Sequence, residues 1–158
     1  MKIAKPTIKD INSIRSILSQ WTDIKEVEKY IKRIRNEVKG STEFGMHFWI
    51  IRDVDCVVGI GGLSDILPSI KHFAVTDNPG EIKIMYLDNK FRNQGFGKVL
   101  INFLEDKARK MKYTELLIRS AKKYKKTAYS FYRKMGYKDL GLTSNNMNVF
   151  AKKYDYKD

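Results

Sequence analysis

The segment Arg92-Asn93-Gln94-Gly95-Phe96-Gly97-Lys98 carries the residue types and spacing most able to do chemistry in this sequence. It lies between a strand-like run, 81–88, and a helical pattern in which Val99, Leu100, Phe103, Leu104, Ala108 and Met111 recur. A helix N-terminus presents unpaired N–H groups and a partial positive charge. Glycines there let the backbone approach a ligand closely, because no Cβ intervenes. Arg92 and Lys98 add full charges, and the whole reads as a pyrophosphate site. It is not a P-loop: the Gly-x-x-x-x-Gly-Lys-Ser/Thr spacing is absent and Val99 follows Lys98. Nor is it a dinucleotide fingerprint, since only two glycines occur and the strand is not early in the chain. A glycine turn that merely starts a helix is the plainer alternative. The preceding strand, the basic residues and the long amphipathic helix weigh against it.

The elements that must position this loop follow from apolar periodicity. Residues 2–5 could start a first strand, with Pro6 at its end. Asp10 reads as a helix N-cap before Ile11, Ile14, Ile17 and Leu18. Ile24, Val27, Tyr30, Ile31, Ile34 and Val38 mark a second amphipathic helix, which Gly40 stops. Residues 46–52 and 56–63 read as strands joined by a turn at Asp53-Val54-Asp55, and 66–80 as a loop. After the long helix come a short apolar strand at 115–119, a helix at 127–135 closed by Gly136, and a final strand, Met147–Lys153. The order β-α-α-β-β-β-α-β-α-β predicts a mixed α/β layer fold, and no Pro/Gly/Ser-rich linker divides residues 1–158, which read as one domain.

Two motifs in this order resemble the GCN5-related N-acetyltransferase (GNAT) superfamily. Arg92-x-x-Gly95-x-Gly97 is similar to its Arg/Gln-x-x-Gly-x-Gly/Ala signature, with Met85-Tyr86-Leu87-Asp88 ahead of it as the fourth strand would be. Ala128-Tyr129-Ser130-Phe131-Tyr132-Arg133-Lys134-Met135-Gly136-Tyr137 resembles the Ala-x-x-Phe/Leu-Tyr-x-x-x-Gly-Phe/Tyr segment. The resemblance extends over nearly the whole chain. It implies a central, mostly antiparallel mixed sheet flanked by about four helices, acetyl-coenzyme A as cosubstrate without a metal, and transfer of acetyl to a primary amine. Cofactor contacts are implied for Met85, Tyr86, Leu87, Arg92, Asn93, Gln94, Gly95, Phe96, Gly97 and Lys98. Met85 to Leu87 would supply a backbone oxyanion donor on a strand opened by a bulge, so that the pantetheine arm pairs as a strand would.

Acetyl transfer from a thioester requires a neutral amine, a donor to the oxyanion and stabilisation of the departing thiolate. Tyr132 is implied for the last role, because a phenol keeps its proton at neutral pH. The alternative is a core aromatic. Ala128, Phe131 and Met135 share the better core spacing, which leaves Tyr132 available. Glu81, fourteen positions before Gly95, matches the offset of the glutamate base in related histone acetyltransferases. On a regular strand it shares a face with Met85, about 13 Å away at ~3.3 Å per residue, and would act through water. The alternative is a solvated glutamate at a strand start. Lys125 stands where the superfamily often has an asparagine on the pantetheine arm, and lysine cannot accept a hydrogen bond. With Lys122, Lys123 and Lys126 it could meet phosphates or solvent.

Composition bounds the alternatives. The 158 residues carry 31 Lys and Arg against 18 Asp and Glu, a net charge of +13. Such a surface draws anions, whether nucleic acid, anionic lipid or a phosphorylated cofactor. A basic nucleic-acid-binding domain is one competing reading, without any helix-turn-helix, zinc-finger or RNA-recognition signature. A coenzyme A sensor without turnover is another. Nothing in the sequence is apolar enough to span a bilayer, and the N-terminus is too polar for a signal peptide. Cys56, the only cysteine, sits in an apolar run and reads as a buried inert thiol. His47 and His72 lie in no motif and form no metal site with it. A cytoplasmic enzyme is expected, one that could pair as a homodimer and acts on a small-molecule or protein amine.

Overall fold

The computed structural model describes residues 1–154. β1 (Lys2–Ala4) leads through a 3-10 turn, Ile8–Asp10, into α1 (Ile11–Trp21), and α2 (Ile24–Val38) follows. β2 (His47–Asp53) and β3 (Cys56–Asp65) form a hairpin, and a 3-10 turn, Pro68–Phe73, precedes β4 (Pro79–Leu87). Then come α3 (Phe96–Lys110), β5 (Glu115–Ala121), α4 (Ala128–Lys134), β6 (Lys138–Leu142) and β7 (Met147–Lys153). Among the described residues the seven strands make one sheet in the order β1-β2-β3-β4-β5-β7-β6. Only β4 and β5 pair in parallel. No helix among the described residues is long and apolar enough to cross a membrane.

The helices sit on the two faces of the sheet because each has one apolar stripe. α1 buries Ile11, Ile14 and Leu18, and α2 buries Val27, Tyr30, Ile31 and Ile34, against Phe48, Ile50, Ile60 and Ile84. The Asp23 carboxylate caps α2 by accepting from the Glu26 N–H at 3.0 Å. On the opposite face α3 sets Leu100, Ile101, Leu104 and Ala108 over Leu63, Ile82, Leu116 and Ile118. α4 is short and presses Tyr129 and Tyr132 onto Phe150, at ring-centroid distances of 5.1 and 5.6 Å.

Four expectations change. The segment 66–80 contains a 3-10 turn whose Ile70 is buried against Leu117 and Val149, so it covers the sheet where neither α1 nor α2 reaches. β6 is an added strand. Its sequence, Lys138-Asp139-Leu140-Gly141-Leu142, hides it, since an edge strand paired only with β7 needs little apolar alternation. Cys56 is exposed. It begins β3 at the hairpin tip, opposite Asp53, where the ladder ends and no helix covers it. On α4 the core pair is Tyr129 and Tyr132, three residues apart, while Ala128 and Phe131 are only partly buried and line a cavity.

Phe150 is fully buried beneath both α4 tyrosines. Phe150→Ala should destabilise the fold by about 3–5 kcal/mol, read as a lowered denaturant midpoint at unchanged slope.

Candidate active site

The site begins with a defect in the sheet. β4 pairs with β5 only where Pro79, Gly80, Glu81 and Ile82 face Glu115, Leu116, Leu117 and Ile118. On its other edge the register slips: Ile82 lies opposite Leu63, yet Ile84 lies opposite Gly62, which leaves Lys83 as the extra residue of a bulge. The bulge bends β4 away from β5 and reverses its side-chain alternation. Ile82 packs with α3, Ile84 with α1 and α2, and Met85 and Leu87 return to the α3 side. Glu81 and Met85, expected on one face, therefore lie on opposite faces. The Asp88 N–H donates to the Val58 carbonyl at 2.8 Å. By antiparallel alternation the main-chain groups of Met85 and Leu87 then point the other way, into the gap. One of these, the Leu87 carbonyl, accepts from the Trp21 indole N–H at 2.7 Å. Lys123 Nζ (2.9 Å) and the Tyr124 hydroxyl both donate to the Trp21 carbonyl, so Trp21 bridges the wide end of the gap.

A cavity of about 890 Å³ passes through the gap from α3 to α2. At the α3 end Gly95 caps the helix at φ +86, a left-handed conformation that favours glycine. A Cβ at Gly97 would meet Leu87 and Phe131 at 3.6 Å, an ordinary contact, so protein packing does not demand glycine there. Met85, Tyr86 and Leu87 line the middle of the cavity, and Arg92, Asn93, Gly95, Gly97 and Lys98 line this end. Three residues read from the sequence do not line it. Gln94 points outward and its Nε2 donates to the Lys90 carbonyl at 3.1 Å. Phe96 is buried with Ile51 and Val58. Lys125 is exposed outside the cavity, and Lys123 lines it instead.

Tyr132 lies at the boundary of core and cavity. It is 7% exposed, and its ring packs against Tyr137 and Phe150. It lines the cavity, and its hydroxyl makes no hydrogen bond among the described residues. Burial pushes its phenol well above the usual range, so it holds its proton.

At the α2 end Glu81 is not a solvated residue at a strand start. It is 2% exposed, and its oxygens accept from Arg119 Nε at 2.8 Å and Nη2 at 3.3 Å. Lys83 Nζ is 3.6 Å from the same carboxylate. The Lys83 side chain is only 7% exposed. Burial pushes its ammonium down to about 8, Glu81 opposing and Arg119, Arg33 and Lys29 adding to the shift. The Tyr30 hydroxyl donates to the Lys83 carbonyl at 3.4 Å, which ties α2 to the bulge. Sequence reasoning missed Trp21, Lys83, Arg119 and Tyr124. Trp21 continues the apolar stripe of α1 and looks like core. Lys83 does leave a signal: alternation through Ile82-Lys83-Ile84 breaks into the unbroken apolar run Ile84-Met85-Tyr86-Leu87. No group of His, Cys, Asp and Glu among the described residues could hold a metal ion.

A family model described as the Acetyltransferase (GNAT) family matches residues 11–137. Solved structures share the fold. PaiA N-acetyltransferase from Thermoplasma acidophilum, in complex with coenzyme A, is 18% identical over 97% of this chain and 98% of that one, with a TM-score of 0.72. An aminoglycoside 6'-N-acetyltransferase complexed with coenzyme A is 16% identical over all of both chains, at a TM-score of 0.73. Ribosomal-protein-alanine N-acetyltransferase from Brucella melitensis is 15% identical over 98% of this chain and 100% of that one, at 0.72. A search of curated proteins returns no significant match.

The lowered pKa of Lys83 carries a sign. A lysine whose folded pKa lies below its ordinary value is charged at a cost in the folded state at neutral pH. That cost fades as pH rises from about 8 toward 10.5. Lys83→Met should therefore raise the melting temperature at pH 7, by the equivalent of roughly 1–3 kcal/mol, and the gain should shrink at pH 10. A lysine that served only to brace Glu81 would give the opposite sign.

Proposed function

The chain belongs to the acetyltransferase (GNAT) family, and from that premise we propose that it moves acetyl from acetyl-coenzyme A to a primary amine by direct attack. The observation that carries the reading is the gap between β4 and β5, which opens onto the N-terminus of α3 at one end and the Tyr132 hydroxyl beside it. The free N–H groups of α3, with Arg92 and Lys98, would hold the pyrophosphate. The main-chain groups of Met85 and Leu87 would pair with the pantetheine amides as a neighbouring strand would. The Leu87 carbonyl has a second lone pair, so Trp21 need not leave.

The Met85 N–H, pointing into the gap, is suited to the carbonyl oxygen that gains charge as the amine attacks. The C–N bond forms as the C–S bond breaks. Tyr132 donates its proton to the thiolate, and its high pKa means it is protonated throughout the working range. The amine enters from the α2 face, where Glu81 lies. Both carboxylate oxygens are held by Arg119, so Glu81 would take the amine's proton only through water.

Two variants test this. Gly97→Asp puts a carboxylate in the first turn of α3, where the helix dipole favours it by about 0.3–1 kcal/mol, so the fold should hold. Repulsion of the phosphates should weaken coenzyme A binding by about a hundredfold, measured by calorimetry, and unchanged affinity would remove this loop from the cofactor site. Tyr132→Phe deletes only the hydroxyl. In a thiol-release assay with an amine found by screening, kcat should fall by about 10²–10⁴ at an unchanged KM for acetyl-coenzyme A. Equal turnover would take Tyr132 out of the mechanism.

A further inference from the structure

The α2 end of the cavity holds more cations than acids, and one cation must share its acid with another. Glu26 is paired with Lys29 at 2.8 Å, and Glu81 with Arg119 at 2.8 Å. Arg33, one turn beyond Lys29 on α2, faces Glu43 at 3.9 Å. Lys83 is the fourth cation and has no acid of its own. It stands 3.6 Å from Glu81, too far for a hydrogen bond, and its ammonium donates none among the described residues. Yet the side chain is 93% buried, by the 7% exposure of its surface, and it lines the cavity. An ammonium this far desolvated, with only a carboxylate it shares with Arg119 opposite it, is costly. A methionine would fill the same wall without that cost. The phenols nearby add no negative charge, since burial pushes Tyr30 and Tyr86 above their usual range.

We propose that the acceptor is a small amine that also carries an anionic group, and that Lys83 docks this group beside Arg119, which Glu81 holds in place. This rests on the acetyl-transfer reading and names the acceptor class for it. The anion completes the charge account: it gives Lys83 hydrogen-bond partners of the charge-assisted kind, which are the strong ones. The same wall disfavours polyamines, whose second ammonium would meet Lys83, Arg119 and Lys29 with Glu81 and Glu26 already paired.

Matched pairs that differ only in the anionic group test the proposal. L-lysine against cadaverine probes a carboxylate, and phosphoethanolamine against ethanolamine probes a phosphate. Each is titrated calorimetrically into the full chain saturated with coenzyme A, at pH 7 and pH 9.5. At least one acid-bearing member should bind about tenfold or more tightly than its partner, and which pair responds separates carboxylate from phosphate. The preference should fade at pH 9.5, where Lys83 has lost its proton. Lys83→Met should abolish the preference, and Lys83→Arg should keep it. Equal or weaker binding by the acids in both pairs, absence of binding included, overturns the proposal, as does a preference that survives in Lys83→Met. Coenzyme A binding in the same cell separates the two failures. Without it the acetyl-transfer reading falls, and with it only the acceptor class does.

Discussion

One extra residue in β4 governs the architecture of the site. A regular β4 would stay paired with β5 along its length, and the sheet would have no opening. The bulge at Lys83 ends that pairing after Ile82 and bends the strand away. It also reverses the alternation, so that Glu81, Lys83 and Ile84 look toward α2 while Met85 and Leu87 look toward α3. The strand thus serves both faces within seven residues. Its main-chain groups are left pointing into a gap that the rest of the fold holds open: α1 reaches across through Trp21, and α2 through the Tyr30 hydroxyl.

The two ends of the cavity use different electrostatics. The α3 end relies on main chain and helix dipole, with Arg92 and Lys98 at its rim, which suits a diphosphate that needs many weak donors. The α2 end relies on fixed side-chain charge. Glu81 anchors Arg119 at short range, and Lys83 stands beside this pair without a bond of its own. Part of the net charge of +13 is therefore placed where it can act on ligands, and the exposed lysines at 122, 123, 125 and 126 add a field that draws anions toward the same opening.

What the sequence made legible was local. The loop from Arg92 to Lys98 and the α4 segment are contiguous motifs, and helix periodicity placed α1, α2 and α3 because each buries one stripe. What it hid was non-local. The pairing of Glu81 with Arg119 joins residues 38 positions apart, and nothing in either neighbourhood announces the other. On α4 the spacing of Ala128, Phe131 and Met135 suits a core face, but Ala128 and Phe131 line the cavity, and the core takes Tyr129 and Tyr132. A helix that borders a cavity has two apolar faces, and periodicity cannot say which one meets protein. The face of Glu81 is hidden for a similar reason: counting by twos holds only on a strand without a bulge.

Tyr132 and Lys83 share a property that neither motif nor burial alone reveals. Each is nearly buried, each lines the cavity, and each leaves its polar head without a hydrogen bond among the described residues. Both heads open on the cavity, where a ligand can reach them; the same donors shut inside packed protein would cost about 1–3 kcal/mol each. Most other buried polar groups among the described residues are partnered: Glu105 accepts from Tyr137 and Lys152, and Asp10 from Thr7 and Arg52, while one oxygen of Glu115, Oε2, is not. Tyr132 and Lys83 lie on opposite faces of the sheet and meet at one gap. A phenol that keeps its proton faces the side where a thiolate would depart, and an ammonium faces the side where an amine would enter. The fold leaves its donors unspent where a ligand can use them.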